Sequence, residues 1–127
     1  MKTFLGIEIG GTKLQIVVGD DSANIQERFR FSVSANEGAN GIRRQIETSL
    51  REILSKTKPA AIGVGFGGPV DWKTGKICCS HQIEGWSDFP IGKWLHSLTN
   101  VPVFVDNDAN VAALGEAILG TGKNFNP

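Results

Sequence analysis

The sequence predicts an α/β domain with a mixed sheet, and two observations support this fold class. Three strand-like runs open the chain, and after them helical periodicity alternates with short apolar runs that suit buried strands. The chain has 127 residues, of which 40% are hydrophobic, so it is long enough for one modest core and short enough to be one domain.

The first three strands are expected to form an antiparallel meander. Thr3 to Ile9 and Leu14 to Val18 are apolar runs, and the residues between them begin with two glycines, a composition that favours a hairpin turn. Residues 28 to 33 then alternate polar and apolar side chains, which is the period of an edge or half-buried strand.

A helix that packs on the sheet is predicted from Gly41 to Lys56. Its apolar residues recur at helical spacing, and most of its charged residues fall on the other face. Lys58-Pro59 ends this helix, and Ala60 to Val64 is then expected to form a short central strand. A turn signal at Lys73-Thr74-Gly75 predicts a small hairpin between Val70 and Cys79.

The last predicted elements are a short helix, a buried strand and a further helix. The short helix is expected from about Ile91 to Leu98, and Val103 to Val105 suit the strand. An Ala- and Leu-rich segment follows Asn107, with Asp or Asn as its N-cap. This pattern places Asp108 in the first helical turn, beside N–H groups that have no partner within the helix.

Charge and cysteine content exclude several classes of function. The 13 basic and 13 acidic residues form no long block of one sign, so nothing indicates a nucleic-acid surface or an anionic-membrane binder. Cys78 and Cys79 are adjacent, which is neither the spacing of a redox pair nor that of a structural zinc site, and we expect a reduced, cytoplasmic protein. Phe4 to Ile9 is too short for a signal core, and no membrane-spanning run occurs.

Three loops rich in glycines or carboxylates are expected to follow strand ends. In open α/β sheets ligands bind beyond the carboxyl ends of the strands, so these loops form the candidate site. Gly10 to Lys13 can let the backbone approach a phosphate while Glu8 faces a metal ion, although a plain hairpin turn is the alternative. Asp106 to Asn110 can supply chemistry or simply cap the following helix.

The sequence satisfies neither of two known phosphate-binding motifs, the dinucleotide fingerprint and the Walker A motif. Gly63, Gly65 and Gly68 have the spacing of a dinucleotide fingerprint, but Pro69 leaves no room for the helix that such a fingerprint must open. The first glycine loop lacks the four-residue gap of a Walker A motif, and a strand follows it instead of a helix.

Four motifs in one order resemble the ROK family of sugar kinases, glucokinases among them, and sugar-responsive repressors: Gly6 to Lys13, Gly63 to Asp71, Gly85-Trp86, and Asp106 to Glu116. The resemblance runs from Lys2 to about Gly122. It implies a ribonuclease-H-like, actin-like ATPase fold, in which two lobes close over a nucleotide and a sugar. Residues 1–127 are then the N-terminal lobe, a mixed sheet with helices on both faces.

The resemblance also implies an activity and a site. The reaction is ATP-dependent transfer of the γ-phosphate to a hydroxyl of a hexose or N-acyl-hexosamine, with Asp108 as the general base. The implied ATP-binding residues are Gly10, Gly11, Thr12 and Lys13, with Glu8 for ATP and Mg²⁺. The implied sugar-binding residues are Gly67, Gly68, Gln82, Asn107 and Asp108.

Three positions depart from the family pattern. Glu8 stands where these kinases usually carry Asp, which shifts the carboxylate outward by one methylene and puts the metal geometry in doubt. Gly67 stands where the sugar loop usually has proline, and Gln82 where glucose-type members often have asparagine. Substrate identity therefore does not carry over. The tryptophans are expected to pack beneath the loops, and the histidines to be structural or solvated.

The chain ends where a full-length member of the family would continue. The adenosine site, the sugar-gripping Glu and His residues and the zinc motif of the family belong to the missing second lobe, so the lobe alone is expected to be inactive. The full-length form is expected to be a homo-oligomer. The alternatives are the sugar-sensing lobe of a repressor, although Met1 leaves no room for a preceding helix-turn-helix, and a stand-alone lobe without catalysis.

Overall fold

The computed structural model describes residues 2–10, 13–20, 22, 24–32, 38–66, 70–71, 76–77 and 89–106. Within these residues lie seven strands and two helices. In chain order they are β1 (Thr3–Ile9), β2 (Lys13–Asp20), β3 (Ile25–Ser32), α1 (Gly38–Lys56), β4 (Ala61–Phe66), β5 (Val70–Asp71), β6 (Lys76–Ile77), α2 (Ile91–Thr99) and β7 (Val103–Asp106).

Five of the strands form one mixed sheet in the order β3-β2-β1-β4-β7. The first three strands form the predicted antiparallel meander, and β4 and β7 both run parallel to β1. The strands β5 and β6 pair antiparallel as a separate small hairpin, also as predicted. The predicted α/β class with a mixed sheet is therefore confirmed.

Several element boundaries differ from the predicted ones. β1 has the expected bounds, whereas β2 continues to Asp20 and β3 begins as early as Ile25. Residues 25–28 of β3 are exposed and, apart from Ile25, polar, so no alternation of side chains marks them. Backbone pairing with β2 makes this stretch a strand. β4 continues to Phe66 and β7 to Asp106, because each keeps a parallel partner up to that residue.

The helix α1 begins three residues before its predicted start. Gly38 has a φ of 61°, a left-handed conformation that glycine adopts at low cost, and this residue leads the chain into the helix. Ala39 is buried in the core, so packing extends the helix toward its N-terminus. Neither helix in the described ranges is long and apolar enough to cross a membrane.

The main core lies between one face of the sheet and the two helices. Buried residues from α1, α2 and four strands (β1, β2, β4 and β7) share one cluster, and half-buried side chains of β3 pack against it. The opposite face of the sheet carries a smaller cluster around Phe4, Val17 and Ala61. Both described helices pack on the first face, and the helix predicted after Asn107 lies outside the described residues. The helix residues of the main cluster are Ala39, Ile42, Ile46, Leu50, Ile53, Ile91 and Leu95.

The turn between β2 and β3 is held by the carboxylate of Asp20. Its Oδ1 accepts hydrogen bonds from the backbone N–H groups of Ser22 and Asn24, at 2.9 and 3.0 Å, and its Oδ2 accepts one from the side chain of Asn24. These bonds, above all the one from the Asn24 backbone, lower the pKa of Asp20. This turn lies at the end of β2 that is remote from Lys13.

The end of α2 gives His96 and Trp94 structural roles, as predicted for both. Nδ1 of His96 donates to the carbonyl of Val101 at 2.9 Å, since a carbonyl can only accept. Asn100 ends the helix in the left-handed conformation, with φ 59°. Trp94 meets Phe89 edge to face, at 5.6 Å between ring centroids.

Candidate functional site

The carboxyl ends of three adjacent parallel strands meet at one edge of the sheet. β1 ends at Ile9, β4 at Phe66 and β7 at Asp106, and β4 lies between the other two. The three loops that the sequence marks as functional begin directly after these residues. The topology therefore brings the starts of all three loops together at the position where α/β sheets bind ligands.

One row of residues crosses the whole sheet beside this edge. Arg30 of β3 is the register partner of Gln15, Gln15 of Glu8, Glu8 of Gly65, and Gly65 of Asp106. Neighbouring strands are about 4.8 Å apart, so the backbones of Glu8 and Asp106 are separated by about 10 Å. Gly65 stands between them and contributes no side chain to this gap.

The row lies on the face of the sheet opposite the main core. Ile7 and Ile9 flank Glu8 and are both buried in the main cluster, and successive side chains of a strand point to opposite faces. Glu8 therefore points away from that cluster, and it is half-buried. An acidic side chain is thus placed beside the ligand edge without entering the apolar core.

A hydrogen-bond chain holds the carboxylate of Glu8. Nε2 of Gln15 donates to Oε2 of Glu8 at 2.9 Å. Oε1 of Gln15 in turn accepts from Nε of Arg30 at 2.9 Å and from Nη1 of Arg28 at 3.3 Å. A carboxylate only accepts and a guanidinium only donates, so these partners leave one consistent orientation for the amide.

The entropy cost of ordering the Glu8 side chain and the energy of its hydrogen bond with Gln15 are of comparable size. Fixing a glutamate side chain costs about 1.5–2 kcal/mol of rotamer entropy. A hydrogen bond to a charged group contributes about 1.5–3 kcal/mol. The bond from Gln15 is therefore strong enough to offset the ordering of Glu8.

Gln15, Arg28 and Arg30 were absent from the sequence-based set of site residues. A signal for Gln15 was available, because a hairpin that pairs Ile9 with Leu14 places position 15 directly opposite position 8. The partners on β3 carry no comparable signal, since the register of a polar edge strand is weakly specified by its sequence.

The glycine loop begins as the predicted hairpin. The N–H of Gly10 donates to the carbonyl of Lys13 at 2.9 Å, one step beyond the last ladder pair, and the side chain of Lys13 is exposed. Among the described residues, a Cβ atom at Gly10 would meet only this carbonyl oxygen, at 3.5 Å, an ordinary van der Waals contact. Packing against the described residues thus leaves room for a side chain at Gly10.

For the remaining predicted site residues, only their sequence positions relative to the strand ends are known. Gly67 directly follows β4, and Asn107 directly follows β7. The predicted residues that lie outside the described ranges are Gly11, Thr12, Gly67, Gly68, Gln82, Asn107 and Asp108.

Glu8 suits a magnesium ion by the chemistry of its donor atoms. Magnesium is held in proteins by one or two carboxylates together with substrate phosphates and water, so a single carboxylate beside a phosphate loop fits this ion. Within the part of the chain that the structure describes, no three His, Cys, Asp or Glu side chains group into a metal site. Substrate phosphates and water are the further ligands that magnesium commonly takes.

Comparison with known proteins identifies the family. The sequence matches the ROK family over residues 4–126. A glucokinase from Halalkalibacterium halodurans is 36% identical over 124 residues, which cover 94% of this chain and 37% of that protein. The chain therefore spans well under half the length of this relative.

Solved structures agree with the sequence match. A ROK family glucokinase from Streptomyces griseus, in complex with glucose and AMPPNP, superposes with a TM-score of 0.74 at 31% identity, covering 94% of this chain and 38% of that one. A ROK family transcriptional regulator, a homolog of the E. coli MLC protein, shares the fold alone: its TM-score is 0.69 at 14% identity, over 81% of this chain and 27% of its own. With its actin-like ATPase fold and a family match along nearly its whole length, the chain belongs to the ROK family.

Proposed function

We propose that this chain is the N-terminal lobe of an ATP-dependent sugar kinase, which transfers the γ-phosphate of ATP to a hydroxyl of a hexose or N-acyl-hexosamine. The observation that carries the proposal is the meeting of the β1, β4 and β7 ends at one edge. A phosphate loop, a sugar loop and an acidic loop then start side by side, as phosphoryl transfer between two bound substrates requires.

The hairpin from Gly10 to Lys13 binds the nucleotide phosphates in this proposal. Glycines let backbone N–H groups approach the phosphate oxygens, and Thr12 and Lys13 add a hydroxyl and a positive charge. Glu8 holds Mg²⁺ at the head of this hairpin. When bound, Mg²⁺ offsets negative charge on the phosphates.

Asp108 is the general base and Asn107 orients the sugar. The carboxylate of Asp108 accepts the proton of the sugar hydroxyl as that oxygen attacks the γ-phosphate, and the amide of Asn107 hydrogen-bonds neighbouring hydroxyls. The position of both residues directly after β7 supports this assignment, because β7 ends in the row that contains Glu8.

Gly67, Gly68 and Gln82 complete the sugar site of the proposal. The glucokinase from Streptomyces griseus is in complex with glucose, which makes a hexose the first substrate to test here. Gln82 departs from the asparagine that is frequent in glucose-type members, so N-acetylated hexosamines belong in the same test. We further propose that the complete protein is cytoplasmic and homo-oligomeric.

The test is the variant Asp108→Asn in the complete protein. A positioned base contributes about 10²–10⁴-fold to the rate, so we expect kcat for sugar phosphorylation to fall by at least about 100-fold while the melting temperature stays the same. Glu27→Gln also converts a carboxylate to an amide, at an exposed position of β3 opposite Val18 and away from the ligand edge, and should retain full activity.

Three results would contradict the proposal in different ways. Unchanged turnover in Asp108→Asn would remove this residue from catalysis. Sugar binding without any turnover in the unaltered complete protein would instead favour the sugar-sensing lobe of a repressor. Absence of both nucleotide and sugar binding would favour a lobe without chemistry.

A further inference from the structure

We infer that Gln15 is a positioning residue: it orients the carboxylate of Glu8 toward the phosphate-binding edge. The inference rests on the proposed function, because it concerns the metal- and phosphate-binding role assigned to Glu8. The observation behind it is the contact of Gln15 Nε2 with Glu8 Oε2 at 2.9 Å, between residues that are direct register partners on β1 and β2.

The length of the Glu8 side chain gives such an orienting group a role. Glutamate has one more rotatable bond than aspartate, so its carboxylate samples more positions above the sheet. A donor on the neighbouring strand removes this freedom by binding one carboxylate oxygen. Gln15 thus adapts the site to its longer acid.

The arginines on β3 fix the amide that performs this role. Arg30 and Arg28 donate to the oxygen of the Gln15 amide, which forces its NH₂ group to face Glu8. They bind the neutral amide on its far side from the carboxylate. A guanidinium bonded directly to a carboxylate forms a strong charge-assisted pair, which competes with a metal ion for the same oxygens. In this arrangement Gln15 transmits orientation and adds no charge.

The experiment measures how Mg²⁺ changes nucleotide affinity in the complete protein. AMPPNP is titrated calorimetrically with and without Mg²⁺, and the ratio of the two affinities is the readout. Gln15→Met keeps the length of the side chain and removes its donor. We expect this variant to lower the Mg²⁺ enhancement about tenfold, or about 1.4 kcal/mol, while metal-free affinity is unchanged.

Two further variants separate positioning from general damage. Gln26→Ala, an exposed glutamine on β3 away from Glu8, should behave as the unaltered protein. Glu8→Asp draws the carboxylate back by one methylene from the Gln15 amide, which Arg28 and Arg30 hold in place. Adding Gln15→Met to this background should therefore change the Mg²⁺ enhancement less than twofold.

The outcomes distinguish this inference from the proposed function. If the unaltered protein binds AMPPNP without any Mg²⁺ enhancement, the metal role of Glu8 fails and the inference fails with it. If the enhancement is present and Gln15→Met retains it, or loses the same factor in the Glu8→Asp background, Gln15 is only structural and the inference alone is overturned. The side-chain amide NMR signals of Gln15 give an independent readout, because they should shift on Glu8→Asp and stay unmoved on Gln26→Ala.

Discussion

Replacement of Gly10 by alanine separates a hairpin turn from a phosphate-binding loop. A turn needs glycine at a position where a Cβ atom clashes or where φ is positive. Among the described residues, a Cβ atom at Gly10 meets only the Lys13 carbonyl oxygen at 3.5 Å, and the only described glycine with positive φ is Gly38. The described part of the fold therefore accepts Gly10→Ala, whereas a phosphate lying against the loop would not.

The expected changes in stability and binding have opposite signs. A glycine-to-alanine change that causes no strain stabilises a protein by about 0.4–1 kcal/mol, because it restricts the unfolded chain. We therefore expect the midpoint of thermal unfolding to stay constant or rise by a few degrees. Nucleotide affinity should fall about tenfold or more, since the added methyl group blocks the approach of the backbone to the phosphates.

The assay is calorimetric titration of Mg·AMPPNP into the complete protein, with a thermal melt of each variant. Gly92→Ala in α2 is the matched control: it makes the same change inside a helix, where alanine is favoured by about 1 kcal/mol, and should leave binding unaltered. Undiminished nucleotide affinity in Gly10→Ala would show that no phosphate lies against this residue. A large loss of stability would refute the packing argument itself.

Two further predictions concern the fold. Ile46 of α1 is fully buried, so Ile46→Ala should lower the free energy of unfolding, measured in urea titrations, by about 2–5 kcal/mol. Arg51→Ala removes only an exposed ion pair with Glu47 and should change this free energy by less than about 0.5 kcal/mol. Equal losses in the two variants would contradict the assigned core. The lowered pKa of Asp20 means that its ionised form stabilises the turn above its unfolded-state pKa of about 3.9, and this contribution is lost as the pH falls through the folded-state pKa. The difference in unfolding free energy between the protein and Asp20→Asn should therefore be largest near pH 7 and shrink below about pH 4, and a difference that does not depend on pH would contradict the assigned hydrogen bonds.

The parts of the fold that the sequence predicted are those with a strong period. The helix α1 repeats apolar residues at helical spacing from Ile42 to Leu54, and β1 and β4 are mainly apolar runs, interrupted in β1 by Glu8. Burial selects such patterns directly, so they can be recognised without a structure. The start of β3 at Ile25 could not be recognised this way, because that stretch is exposed and only its pairing with β2 makes it a strand.

In the candidate site, too, residue patterns within one strand were predictable and contacts between strands were not. Glu8 and the glycine loop were predicted because residue type and strand end together indicate chemistry. The contacts of Glu8 were not predicted, because they depend on register, and register is a property of two strands at once. The hairpin places Gln15 opposite Glu8, and the β2–β3 pairing places Arg30 opposite Gln15. Arg30 can then only donate to Gln15, and Gln15 can only donate to Glu8.

The same register explains why Gly65 lies at the centre of the row. β4 pairs with β1 on one side and with β7 on the other, so position 65 is the neighbour of both Glu8 and Asp106. A larger residue here would project from the same face as Glu8, into the approach to the edge where the three loops begin. β-branched residues favour strands and glycine weakens them, so strand stability does not account for this glycine. Gly65 is buried and places no side-chain atoms between Glu8 and Asp106, at the edge where the proposed function brings two substrates together.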